Sequence, residues 1–210
     1  MKKILALILA AMMLLSLVAC GNTTETETET ETETETEVVV ELPYKSATEL
    51  LNLVFTTYNA GATEETMLYV AGGNINNFET TSMDSPAKFV ALANEDYDQN
   101  LGVPVAEASK IVEAASMFNM MNANMFTCYT LQLAEGTDVK AVAESIKTNI
   151  LARQWICGAP EKLVIVNFPG DYLLVVWGVV QSGGIVDPFV ASFANVIGGV
   201  ETLAEANIGE

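Results

Sequence analysis

Met125-Phe126-Thr127-Cys128-Tyr129-Thr130-Leu131-Gln132-Leu133 alternates as a strand, with Met125, Tyr129, Leu131 and Leu133 on one face. Gly136 turns the chain, and Thr137 or Asp138 caps a helix. Its stripe is Val139, Val142, Ala143, Ile146 and Ile150, at i, i+3, i+4, i+7 and i+11. Lys140 and Glu144 lie one turn apart on the wet face. Leu163 to Phe168 and Tyr172 to Val180 are two apolar runs joined by Pro169-Gly170-Asp171, a tight hairpin turn. Asp187-Pro188 opens a last helix through Ile197, stopped by Gly198-Gly199. The order β-α-β-β-α predicts an α+β fold: an antiparallel sheet with helices packed mainly on one face, after a helical N-terminal part.

Ahead of this unit, Ser46 and Glu49 form a capping box. The helix it opens carries Ala47, Leu50, Leu51, Val54 and Tyr58 on one face and ends near Gly61. Met67 to Ala71 is apolar but too brief to assign, and residues 72–84, rich in Gly, Asn and Thr, read as a loop. Ser85-Pro86 predicts a short helix through Ala93. Pro104 predicts another, with Val105, Ala108, Ile111, Val112 and Ala115 inward and Glu107 and Lys110 outward. One domain over 42–200 is expected, with a frayed tail at 201–210.

The N-terminus carries a different message. Lys2 and Lys3 precede an apolar run from Ile4 to Val18, the layout of a secretory signal and too short for a membrane span. It closes on Leu17-Val18-Ala19-Cys20-Gly21, which resembles the lipobox of bacterial lipoproteins. That resemblance implies removal of residues 1–19 and a diacylglyceryl group on the Cys20 sulfur, with the bilayer as partner. Two acyl chains, at about 0.8 kcal/mol per buried methylene, make a lasting anchor where one does not. Residues 20–41 then serve as the lipidated cysteine and a spacer. Thr24 to Glu37 is a strict Thr-Glu alternation whose like charges cannot offset the entropy of ordering, so an extended leash is expected. Its 14 residues reach at most roughly 45 Å at about 3.3 Å per residue.

The full chain has 9 basic and 27 acidic residues, a formal charge of −18. Without its two leader lysines the charge is −20, and the repeat holds seven of the acids, leaving −13 on the rest. Such a surface repels nucleic acid. Cys128 and Cys157 remain once Cys20 is used; an exported protein could bridge them, though two cysteines make no framework and Cys128 reads as strand core. With no histidine in the chain, the usual general base is missing.

Several constellations could carry chemistry. Asp96, Asp98, Asn100 and Glu107 fall at positions 1, 3, 5 and 12 of a calcium loop, but Leu101 replaces the turn glycine and Pro104 offers no ligand. A solvated acidic loop is the expectation, with calcium as the weak alternative. Met117, Met120, Met121 and Met125 could offer thioethers to Cu(I), although core filling is the more ordinary role for methionine. Trp155 and Trp177 could line a sugar site or pack in the core. Glu64-Glu65 shows sequence proximity alone, not a carboxylate pair across a cleft. No nucleophile elbow, zinc-protease, phosphate-loop or dinucleotide motif is present, so no catalytic residue and no cofactor is assigned.

The lipobox, Met120-Met121-Asn122 leading into a strand, Asp138-Val139-x-x-Val142, and Gly170-Asp171-Tyr172-Leu173 together resemble an uncharacterised family of small Gram-positive lipoproteins. That family is built on a domain of unknown function. The resemblance spans about 75 residues, Pro104 to Gly178, and implies export and this fold; it implies no activity. The expected function is a membrane-anchored extracytoplasmic lipoprotein at the cell membrane, a non-enzymatic module that binds an envelope protein or small ligand. The alternatives are a carboxylate-dependent envelope hydrolase and a cation-binding module.

Overall fold

The structure is a computed structural model that describes residues 42–120, 125–155, 158–179, 184–194 and 197–208. Cys20, the Thr-Glu spacer, Met121, Asn122 and Cys157 lie outside the described residues. Glu41–Glu210 forms one compact unit. The elements are α1 (Ala47–Gly61), β1 (Val70–Gly72), β2 (Ala87–Lys88), α2 (Glu95–Leu101), a 3-10 turn (Val105–Lys110), β3 (Ile111–Asn119), β4 (Phe126–Leu133), α3 (Val139–Ala152), β5 (Lys162–Phe168), β6 (Tyr172–Gly178), α4 (Val186–Ala194) and β7 (Glu201–Asn207). The strands form one seven-stranded sheet in the order β1-β3-β4-β6-β5-β7, with β2 also on β3 and every pairing antiparallel. The chain is therefore an α+β fold.

Local signals explain several element ends. Glu49 N donates to Ser46 Oγ at 3.1 Å and Lys45 N to Glu49 Oε2 at 2.7 Å, which satisfies donors at the start of α1. Asp138 caps α3 by accepting from Ala141 N at 3.0 Å. At the β5–β6 turn Gly170 and Asp171 both take positive φ, 84° and 62°, a conformation that glycine adopts freely and aspartate tolerates.

The sheet is covered on both faces. Leu50, Leu51, Val54 and Tyr58 of α1 and Phe189 and Phe193 of α4 pack on Cys128, Val166, Leu174 and Val176. On the other face Val142, Ala143, Ile146 and Ile150 of α3 pack on Tyr129, Leu131, Ile165 and Val175. Two of the three longer helices thus share one face. β6 reads as an unbroken apolar run because both its sides are buried: Leu174 and Val176 serve one layer, Leu173, Val175 and Trp177 the other. Fully burying each such aliphatic side chain contributes about 1.5–3 kcal/mol.

Three expectations are corrected. The helix expected from Pro104 is a 3-10 turn followed by β3, which pairs with β4 from Ile111↔Leu133 to Phe118↔Thr127. Val112, expected inside, is 63% exposed, whereas Glu107, expected outside, is 8% exposed and pairs with Lys110 at 2.7 Å. An alanine-rich run fits a helical stripe and a doubly buried strand equally well, and the long-range ladder overrides the weak local preference. The helix expected after Ser85-Pro86 is instead β2, held by Ala87↔Ser116 and Lys88↔Ala115. The tail expected to fray from residue 201 forms β7 on β5, and Ile208 is buried. Lys162 secures it, reaching Glu205 and Asp187 at 2.6 Å each. These two bonds raise the pKa of the Lys162 ammonium. Among the described residues no helix is long and apolar enough to cross a membrane.

Candidate functional site

Beyond β1, the chain turns through Gly72-Gly73-Asn74. Gly73 takes φ 89°, and a Cβ there would meet Thr80 O at 2.7 Å, so the backbone can pass only as glycine. The Ser116 hydroxyl on β3 donates to Gly73 O at 2.9 Å, and Gly73 N donates back at 3.1 Å, which binds this turn to the sheet. Asn74 is fully buried; its Nδ2 donates to Val90 O at 3.0 Å and its Oδ1 accepts from Asn76 N at 3.0 Å.

Asp96, on the first turn of α2, is the hub of this end of the molecule. Its Oδ2 accepts from Asn74 Nδ2 at 2.9 Å, Leu92 N at 2.7 Å and Ala93 N at 3.4 Å, and its Oδ1 accepts from Asn76 Nδ2 at 3.1 Å. One carboxylate, 8% exposed, thereby ties the 73–84 loop and the 92–93 segment to α2. Burial by itself would raise its pKa; the bonds from Leu92, Asn74, Asn76 and Ala93 outweigh burial and hold it below the ordinary value. Glu113 on β3 behaves alike. Burial pushes it up, while Thr48 N (3.1 Å), Thr48 Oγ1 (3.0 Å) and Lys88 Nζ (3.1 Å) hold it down.

A pH dependence follows. Both folded values lie below the ordinary 3.8 and 4.5. The stability each carboxylate contributes is therefore present above those values and is lost as pH falls through the folded pKa. Urea midpoints of wild type and Asp96→Asn, measured at neutral pH and at successively lower values, should differ most at neutral pH. The gap should close below the ordinary aspartate value. A gap that stays constant with pH would show that charge on Asp96 is irrelevant.

The solvated acidic loop expected here is corrected: Glu95–Leu101 is the helix α2 and Asp96 is buried, because its carboxylate has four N–H donors to satisfy. The residues of the weaker calcium alternative do not converge either. Asp98 accepts from Asn149 Nδ2 at 2.7 Å, Asn100 Nδ2 donates to Asp96 O at 3.0 Å, and Glu107 pairs with Lys110. The oxygens of Asp96 face N–H donors, an arrangement suited to the carboxylate itself and not to a cation. Among the described residues no three Asp, Glu or Cys side chains form a group able to hold a metal ion. Cys128 is a free thiol, wholly buried, whose pKa burial raises far above its ordinary value; it is inert core. The thioethers separate: Met117 is in the first core layer, Met120 is half exposed, and Met125 stands at the mouth of β4. Trp177 packs edge-on against Tyr129 at 5.7 Å and Trp155 at 6.2 Å, with Arg153 over the Trp155 ring at 5.6 Å. Glu64 and Glu65 are exposed.

Next to the Asp96 hub a cleft of about 330 Å³ opens between the end of α2, the Gly73 turn and strands β3 and β4. Leu101, Phe118 and Met125 give it apolar walls, while Gln99, Asn100 and Thr127 bring polar ones. None of its described lining residues is ionisable. It is not legible in the sequence, because its walls come from segments far apart in the chain, and the helix α2 and strand β3 that form two of them do not show in local periodicity. The Gly-Gly-Asn turn was the available signal. Neither a protein-family model, nor a curated protein, nor a solved structure matches this chain.

Proposed function

We propose that the protein is a lipid-anchored extracytoplasmic module of the cell envelope that binds a ligand or partner without transforming it. The carrying observation is Leu17-Val18-Ala19-Cys20 at the end of a short apolar leader. A cysteine in that register supplies a sulfur for two acyl chains, enough for lasting membrane attachment. Resemblance of the leader and of the β-α-β-β segment to small Gram-positive lipoproteins supports the same reading. The binding role is supported by the described walls of the cleft. General acid–base catalysis needs a titratable group in reach of the substrate, and these walls present amides, hydroxyls and hydrocarbon. A carboxylate hydrolase draws no support from them.

The anchor is tested by expressing Cys20→Ala beside the wild type in a Gram-positive host. Wild type should partition into the detergent phase and carry an acylated N-terminal cysteine by mass spectrometry. The variant should carry no acyl chains, being either released from the detergent phase or retained there with an uncut leader that mass spectrometry detects. An unacylated amino terminus on the wild-type protein would end this reading.

A further inference from the structure

The geometry points to the cleft beside Asp96 as a binding site for a small neutral polyhydroxylated molecule, the chemistry of a single uncharged sugar ring. It deepens the binding role proposed above and rests on that reading for its biological setting, but not for its chemistry. The size, about 330 Å³, is at the lower end of ligand pockets, which run roughly 300–1,000 Å³.

Charge selects against most other small molecules. A phosphate or carboxylate ligand would enter without a lysine or arginine on the described walls, against a strongly acidic protein. An ammonium ligand would lack a carboxylate there, because the nearby Asp96 is closed off by its own four donors. A neutral molecule meets neither difficulty. The polar groups on offer are also uncommitted. Among the described residues the Gln99 side chain and the Thr127 hydroxyl have no hydrogen-bond partner, and Asn100 uses its Nδ2 while its Oδ1 stays free. Together they present donors and acceptors to one space, which suits hydroxyls that are both. Leu101, Phe118 and Met125 supply apolar surface for the C–H face of a ring. Ser116 is not part of this set, since it is spent on Gly73.

The described residues begin at Leu42, and close to that start Tyr44 Oη donates to Pro169 O of the β5–β6 hairpin at 3.0 Å. That end of β4 pairs Gln132 with Tyr172; the cleft is at the other end, where Phe126 pairs with Gly178 and Thr127 with Trp177. Six residues of strand separate the two, about 20 Å at about 3.3 Å per residue. The first described residues and the cleft thus lie at opposite ends of β4.

The test uses the full mature chain in a detergent without sugar headgroups. Saturation-transfer NMR and calorimetry are run with methyl glucopyranoside and N-acetylglucosamine, and with glucosamine and glucuronic acid as cationic and anionic counterparts. The neutral pair should bind with Kd on the order of 1 mM, and the charged pair should bind at least about tenfold more weakly. Thr127→Val and Gln99→Leu should each weaken the neutral sugars by about tenfold while the melting temperature stays unchanged. Absence of transfer from the neutral sugars, equal binding of the charged ones, or binding indifferent to both variants would each overturn the assignment. Binding is read whether or not Cys20 is acylated, so failure here leaves the anchor standing, and failure of the anchor leaves this site standing.

Discussion

Asp96→Ala is expected to lower the unfolding free energy by roughly 3 kcal/mol and the melting temperature by about 6–12 °C. The reason is the number and kind of donors that converge on one carboxylate. Asn74, Asn76, Leu92 and Ala93 each direct an N–H at it, and three of the four distances are 3.1 Å or less. Alanine would leave these donors without their acceptor at a site only 8% exposed, and an unsatisfied buried donor costs more than a hydrogen bond nets. The damage should concentrate in the 73–84 and 90–94 segments, read as faster amide exchange there than in β4 to β6. Ligand binding in the adjacent cleft should weaken too, because the Gly73 wall leans on Asn74. A loss below about 1 kcal/mol, with exchange unchanged in these loops, would mean that the carboxylate is not what holds them.

Phe189→Ala should be at least as damaging, by about 3–5 kcal/mol. Phe189 is fully buried at the centre of a ring cluster, with centroids 5.1 Å from Phe126, 5.4 Å from Tyr58 and 5.5 Å from Phe193. It therefore joins α4 to both α1 and β4. Truncation removes the transfer free energy of the ring and leaves a cavity that rigid strand neighbours cannot close. Phe78, by contrast, is 84% exposed, and Phe78→Ala should move stability by no more than about 0.5 kcal/mol. Chemical denaturation of the two variants side by side decides the matter. Similar losses for both, or a negligible one for Phe189→Ala, would contradict the packing described for α4.

The residues legible without a structure were those whose partners lie within a few positions. Ser46 and Glu49 announce α1, Asp138 announces α3, and Pro169-Gly170-Asp171 announces the β5–β6 hairpin, since caps and turns are satisfied locally. The periodic stripe of Val142, Ala143, Ile146 and Ile150 marks the buried face of a helix whatever that face covers. Fold class followed from these, because an α+β architecture needs only the element order and the apolar faces.

Other features depended on contacts distant in the chain. Ile111 to Asn119 became a strand because β4 and the short β1 and β2 supply its ladder, although its alanines fit a helix as well. Glu201 to Asn207, polar and mostly exposed, became one because β5 offered a free edge and Lys162 a counter-charge. Asp96 reads from its neighbours in sequence as part of a solvated acidic loop, and its surroundings in space make it a buried acceptor for four N–H groups. The chain alone thus determined which segments could be helix, turn or buried strand, and it carries the Leu17-Val18-Ala19-Cys20 run. Pairing partners, the orientation of Asp96 and the existence of a neutral cleft were decided in three dimensions, where the cost of an unsatisfied backbone or carboxylate group is settled by whichever residue the fold brings near.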